Sequence, residues 1–254
     1  MLLLASDLDN TLIYSYQRLS EGAVCVESKD GKPLSFMMPA AYERLQTLAE
    51  RLLFVPVTTR SLEQYQRIEL LQHGRPPRLA LTSNGGLLLV EGQVDPAWRT
   101  QTQQLVRPAL PALRQAQALL AAQKDVYLPP RLVDEIFLFA KTRQVAHMVE
   151  RLRAALDKKT VFVDSHGEKI YVFPRALHKG LAIARLRERV GDCTVMAAGD
   201  SLFDAPMLWQ ADAAVIPNEE PLLAAMQGKK ELLIHQKERL DFAQTVLEAA
   251  WQRL

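Results

Sequence analysis

Met1-Leu2-Leu3-Leu4-Ala5-Ser6-Asp7-Leu8-Asp9-Asn10-Thr11-Leu12 carries a short apolar run directly into two carboxylates. Side chains alternate along an extended chain, so Asp7 and Asp9 share one side while Leu8 faces the other. Two carboxylates at the outlet of a buried strand suit a hard cation and an activated nucleophile, a costly arrangement beside a core unless something binds there. A polar turn after a strand is the ordinary alternative.

Working outward, Pro39 to Arg51 places apolar groups at 41, 42, 45, 48 and 49, the spacing of a helix with one buried stripe. Leu52 to Val57 reads as a buried strand ending at Thr58-Thr59-Arg60. Ser61 and Gln64 then form a capping-box pattern opening a helix over Leu62 to Gln72. A strand from Arg78 to Thr82 leads into Ser83-Asn84-Gly85-Gly86. This alternation predicts an α/β fold, a Rossmann-like, mostly parallel sheet with helices on both faces.

The middle of the chain changes character. Leu87 to Val90 and Val94 flank Glu91-Gly92-Gln93 like a hairpin, and residues 101 to 123 read as a helix broken around Pro108 and Pro111. Strand, helix, strand, strand follow at Glu135 to Ala140, Arg143 to Leu156, Thr160 to Asp164 and Lys169 to Phe173. Ser165 to Glu168 is then a hairpin turn. From Lys179 the first pattern resumes, with a helix to Val190, a strand Cys193 to Ala198, a strand Ala213 to Ile216 and helices near 219–227 and 237–252. The reading is a discontinuous core, residues 1–84 and 175–254, around an inserted α/β cap, residues 85–174.

The chain has 254 residues, 48% of them hydrophobic, enough for a large core and a second unit. Its 31 basic and 29 acidic residues contain no block of like charge that would track a nucleic-acid backbone, so no constitutive nucleic-acid partner is expected. Cys25 and Cys193 form no CxxC pair, which argues against a disulfide framework or a thiolate zinc site and fits a reducing cytoplasm. No signal-peptide pattern is present, and no apolar run approaches the roughly 20 residues that span a bilayer, so no membrane association is expected.

Open parallel sheets gather ligands at the C-terminal edges of their strands. That edge would collect Asp7, Asp9, Thr58 and, after the Cys193 to Ala198 strand, Asp200 and Asp204, with Lys179 leaning over it from a helix start. Each of the last four has an ordinary alternative: Thr58 as a helix cap, Lys179 as a solvated lysine, Asp200 and Asp204 as helix-start residues. Together they point to phosphate. Carboxylates without His or Cys favour Mg²⁺ over zinc, and Mg²⁺ commonly bridges carboxylates to phosphate. A lysine and a hydroxyl would supply positive charge and a donor for the remaining phosphoryl oxygens.

These residues give the chain a resemblance to the haloacid-dehalogenase-like hydrolase superfamily, in its phosphatase branch. Asp7-Leu8-Asp9-Asn10-Thr11-Leu12 matches the first motif, Thr58 with Arg60 the second, Lys179 the third, and Gly199-Asp200-Ser201-Leu202-Phe203-Asp204 the fourth. Order and spacing resemble the members with a large α/β cap after the third core strand, Cof-like sugar phosphatases and sucrose-phosphate phosphatase among them. The resemblance implies that Asp7 is the nucleophile, that Asp9 protonates the leaving oxygen and later activates water, and that Lys179 and Thr58 stabilise the phosphoryl group. It implies Mg²⁺ held by Asp7, the Asp9 backbone carbonyl, Asp200 and Asp204, and substrate contacts from Thr59, Arg60, Asn84, Lys169 and His178. Departures are Thr59 where the family usually has Gly, His178 where Ser is common, and Phe203 where Asn is common, the last expected to weaken or rearrange the hold of Asp204 on the metal.

The expected activity is Mg²⁺-dependent hydrolysis of a small phosphorylated metabolite, a sugar phosphate or phosphorylated sugar conjugate, by a monomer or small homo-oligomer. A phosphomutase and a catalytically weak phosphate-binding or partner-binding protein are the alternatives. Specificity is expected in the cap and Asn84. Arg131, His147, His166 and Lys169 are its candidate polar contacts, and Tyr127, Phe137 and Phe139 could stack on a ring or simply pack a core.

Overall fold

A computed structural model describes residues 1–15, 21–73 and 75–254. The chain divides into two compact units, Met1–Asp95 with Lys179–Leu254, and Pro96–His178.

The first unit is built on a fully parallel sheet whose strands lie in the order Leu232–His235, Ala213–Pro217, Thr194–Ala198, Leu2–Ser6 and Leu53–Pro56. Leu2–Ser6 is flanked by a strand that follows it and by one reached only after the insertion, so the strand order reverses around it. Such a switch point opens a crevice at the strand ends. Helix Pro39–Leu48 begins with proline at its first turn, where the missing N–H costs nothing, and buries Ala41, Leu45 and Leu48. It packs against Phe242–Trp251, whose buried face joins Leu4, Phe54, Met196 and Val215 in one core cluster. Helices Lys179–Val190 and Ala205–Gln210 pack against each other. Gly180 permits this closeness, since a Cβ there would stand 2.4 Å from the Pro206 carbonyl oxygen.

Two small antiparallel sheets complete this unit. Leu79–Thr82, Leu87–Val90 and Gln93–Val94 form one, joined to the end of the Leu53–Pro56 strand by a parallel bridge between Val57 and Leu81. The other pairs Tyr14–Ser15 with a hairpin of Val24–Lys29 and Lys32–Met37. Its turn is Asp30-Gly31, both at positive φ, the conformation that tight two-residue hairpin loops require.

The Pro96–His178 unit is a four-stranded antiparallel sheet in the order Val161–His166, Lys169–Pro174, Phe137–Thr142 and Val126–Val133, carrying helices Leu110–Ala121 and Val145–Ala155. Pro129 and Pro130 lie in an edge strand, where a missing donor breaks no ladder. The helix expected to break around Pro108 and Pro111 does so, as Pro96–Val106, a 3₁₀ turn Arg107–Ala109, and Leu110–Ala121.

Three expectations need correction. The helix read over Leu62 to Gln72 stops at Gln66, because buried Ile68 leaves helical geometry to bridge Glu27 and a 3₁₀ turn Glu69–Leu71 follows. Glu135 is not a strand residue: Asp134 and Glu135 have positive φ and form the turn into Phe137–Thr142. The helix read near 219–227 is only Leu222–Ala225, and strand Leu232–His235 follows it at the sheet edge.

Candidate active site

The ends of three neighbouring strands assemble the site. Leu2–Ser6 delivers Asp7, whose N–H donates to Ala198 O at 2.9 Å. The Leu53–Pro56 strand delivers Thr58, and Thr194–Ala198 delivers Gly199 and Asp200. Beyond Asp7 the chain coils tightly: Thr11, Leu12 and Ile13 all direct N–H groups at Leu8 O, and Asn10 takes positive φ. Leu8 is buried, while the Asp9 side chain is 48% exposed.

Lys179 is 1% exposed and its Nζ lies 2.6 Å from both Asp7 Oδ1 and Asp204 Oδ1. The solvated-lysine alternative is therefore excluded. Asp204 is fully buried and makes no capping bond to the helix it precedes. Its Oδ2 instead accepts from Asp200 N at 3.1 Å, Ser201 N at 3.0 Å and Ser201 Oγ at 2.8 Å. These donors hold Asp204 without a polar side chain at position 203. Gly199 makes the grip possible, since a Cβ there would sit 2.4 Å from the Asp204 Cβ. Asp200 receives Arg239 Nη2 on Oδ2 at 2.6 Å and the Thr11 hydroxyl on Oδ1 at 3.4 Å.

Ligand atoms of Asp7, Asp200 and Asp204 all lie within 4.8 Å of one another. An all-oxygen set of this kind fits a hard dication such as Mg²⁺. The electrostatics agree with that fit. Burial raises the Asp7 carboxyl well above the ordinary carboxylate range; Lys179 pulls it back, while Asp204, Asp200 and Asp9 add to the rise. Asp200 is pushed up to about 7, first by burial and then by Asp204, against Arg239 and Lys179. Burial favours loss of the Lys179 proton, but Asp204 and Asp7 outweigh it and raise its pKa. The carboxylates crowd more negative charge than the ammonium neutralises, and a bound cation relieves that excess.

Thr58 is fully buried; its Oγ1 accepts from Arg60 N at 3.1 Å, leaving the hydroxyl proton to donate. It is not a helix cap, because Ser61 and Gln64 make both bonds of the capping box. Asn84, remote from Thr58 in the chain, lies beside it in space, its N–H donating to Thr58 O at 2.9 Å. Asn84 Oδ1 and Thr82 Oγ1 are buried without a hydrogen-bond partner among the described residues. Thr59 is part-exposed beside Thr58. Arg60 turns its guanidinium to Asp9 in a bidentate pair, Nε to Oδ2 at 2.9 Å and Nη2 to Oδ1 at 2.7 Å. Sequence reasoning missed the third member of this group, Glu27, which accepts from Arg60 Nη1 at 2.8 Å. The Asp30-Gly31 dipeptide between two β-rich runs was the available signal for the hairpin that carries it.

In the inserted unit, Lys169 opens a strand and is exposed, as are Arg131, His147 and His166. His178, at that unit's end, is half-buried, and burial lowers its pKa. The aromatic rings pair with one another, Phe137 with Phe173 at 4.7 Å and Phe139 with Tyr171 at 5.3 Å, as core packing expects. Tyr127 is exposed and its hydroxyl donates to Glu168 at 2.6 Å. Among the described residues no helix is long and apolar enough to cross a membrane.

The model of the family described as sucrose-6F-phosphate phosphohydrolase matches residues 1–250. Among solved structures, the sucrose-phosphatase from Synechocystis sp. PCC6803, in complex with sucrose and phosphate, is similar at 17% identity and TM-score 0.66, over 98% of this chain and 97% of that one. A HAD subclass IIB sugar phosphatase is similar at 16% identity and TM-score 0.62, over 100% and 99%. Trehalose-6-phosphate phosphatase from Aspergillus fumigatus is similar at 13% identity and TM-score 0.55, over 98% and 92%. At these identities the structures establish a shared fold. A search of curated proteins finds no matching sequence.

Proposed function

We propose that this chain, which belongs to the sucrose-6F-phosphate phosphohydrolase family of the haloacid-dehalogenase-like superfamily, is a Mg²⁺-dependent sugar-phosphate phosphatase working through an aspartyl-phosphate. Family membership and the aspartate cluster support phosphomonoester hydrolysis in general. The observation that carries the reading is the buried lysine shared by Asp7 and Asp204, with an Asp200 oxygen within 4.8 Å of ligand atoms of both carboxylates.

An Asp7 carboxylate oxygen attacks phosphorus as the ester P–O bond breaks, and Asp9 gives its proton to the departing oxygen. Asp9 then takes a proton from the water that attacks the aspartyl phosphate. Inorganic phosphate leaves and the Asp7 carboxylate is restored. Lys179 neutralises charge between nucleophile and phosphate, and the Thr58 hydroxyl donates to a phosphoryl oxygen. Asp7, Asp200, Asp204 and the Asp9 carbonyl would hold Mg²⁺, which would supply the charge neutralisation that lets a carboxylate approach a phosphate dianion.

We assign choice of the leaving group to Asn84, with its open carbonyl oxygen, and to the inserted residues, including Lys169. The family description and the sucrose bound to the Synechocystis protein favour a disaccharide phosphate. Phosphate release from sucrose 6F-phosphate, trehalose 6-phosphate and monosaccharide phosphates, with Mg²⁺ and with EDTA, tests this. Mg²⁺-dependent release with a disaccharide preference is expected. Equal rates on all esters would remove the substrate assignment, and sustained transfer to a second hydroxyl without release would point to a mutase.

A further inference from the structure

Glu27 is a carboxylate buried to 2% exposure on the hairpin, in a part of the sequence that no catalytic motif covers. The hairpin register shifts on both sides of it, between Cys25 and Glu27 and between Glu27 and Ser28. Consecutive residues Val26 and Glu27 are both buried at this irregularity. Such bulges re-aim a side chain, and this one aims a charge inward. Glu27 Oε2 accepts from Ser35 Oγ at 2.6 Å and from Arg60 Nη1 at 2.8 Å, while Oε1 receives Arg67 Nη2 at 3.3 Å. The backbone bridge to Ile68 pins the same residue to the segment following Arg67.

Arg60 thus holds Asp9 with one edge and is itself held by Glu27 at the other. A guanidinium is planar, so fixing both edges fixes the plane in which the Asp9 carboxylate lies. The Asp9 side chain is 48% exposed, so burial alone does little to orient it. Resting on the reading of Asp9 as proton donor, we propose that Glu27 is a positioning residue, acting through Arg60 to orient Asp9 toward the leaving oxygen. The hairpin is then part of the catalytic support, and an ångström of misplacement at the donor costs orders of magnitude in rate.

Orientation of a proton donor matters in proportion to how badly the leaving group needs the proton. The test compares kcat/KM for an alkyl phosphate and for p-nitrophenyl phosphate in wild type, Glu27→Gln and Asp9→Asn. This ratio covers steps through loss of the leaving group and leaves out hydrolysis of the intermediate. Glu27→Gln should lose at least about tenfold more on the alkyl than on the aryl ester, in the same direction as Asp9→Asn. Equal loss on both esters, or no loss, would overturn the positioning role. An Asp9→Asn protein without leaving-group dependence would instead refute the proton-donor reading itself. Should Glu27→Gln fail to fold, Ser35→Ala, which removes only the hydroxyl on Glu27 and Arg60, should show a smaller shift in the same direction. An unchanged ester ratio there would also overturn the proposal.

Discussion

Replacing Lys179 with methionine isolates the electrostatics of the site from its chemistry. The ammonium is 1% exposed and touches two carboxylates at 2.6 Å each. Removing one member of a buried ion pair costs about 3–5 kcal/mol, because the charge left behind is uncompensated. Asp204 keeps its donors from residues 200 and 201, so the lower figure, about 3 kcal/mol, is expected, and most of it falls on Asp7. For a chain of this size that lowers Tm by about 6–12 °C in metal-free buffer at pH 8. Without Lys179 the Asp7 carboxyl rises still further above its unfolded value, so the folded state holds more protons than the unfolded one. Stability then falls as pH rises through that window, and the gap to wild type should be smaller at pH 5 than at pH 8. Saturating Mg²⁺ should narrow the gap at pH 8, because a cation beside Asp7 replaces the charge that only the variant has lost and so stabilises the variant more. Thermal unfolding of both proteins at the two pH values is the assay. An unchanged Tm at pH 8, or a gap that widens toward pH 5, would refute this reasoning.

Gly199→Ala must push Asp204 aside, because the new Cβ would meet its Cβ at 2.4 Å. A loss of about 1–3 kcal/mol is expected in denaturant unfolding, with Mg²⁺ affinity by calorimetry down about tenfold. Buried Tyr14, whose hydroxyl donates to Arg239 O at 3.0 Å and accepts from Ala243 N at 3.2 Å, is pushed up to about 12 by burial. Its contribution is complete below the unfolded value near pH 10 and is lost as pH rises toward about 12. Stability measured across that range should fall less steeply in Tyr14→Phe than in wild type, and equal slopes would count against the assignment.

Much of this architecture is written locally. The apolar run before Asp7, the capping box at Ser61 and Gln64, and the prolines at 108 and 111 each announce structure through nearest neighbours, and all form as read. The elements missed are those set by distant partners. Val126–Val133 contains two prolines and is a strand only because it lies at a sheet edge. Leu232–His235 likewise depends on pairing with Ala213–Pro217. Helix pattern continued through Ile68, yet a bridge to Glu27 prevailed over local propensity. In the site, Asp7 and Asp200 follow from strand-end logic, since parallel topology dictates where strand ends meet, while Asp204 and Lys179 stand at helix starts beside that edge and are gathered with the help of the motif resemblance. The pairing of Arg60 with Asp9 and Glu27 does not follow in this way, because it depends on a hairpin fold and a bulge that reverse which side chains face inward.

The most direct measurement is acid quenching of the protein during turnover of sucrose 6F-phosphate with Mg²⁺, followed by peptide mapping of bound phosphoryl groups. A phosphoryl adduct on Asp7 is expected, longer-lived in Asp9→Asn and absent in Asp7→Asn. Phosphate release that continues in Asp7→Asn, or an adduct mapped to any other residue, would contradict Asp7 as the nucleophile.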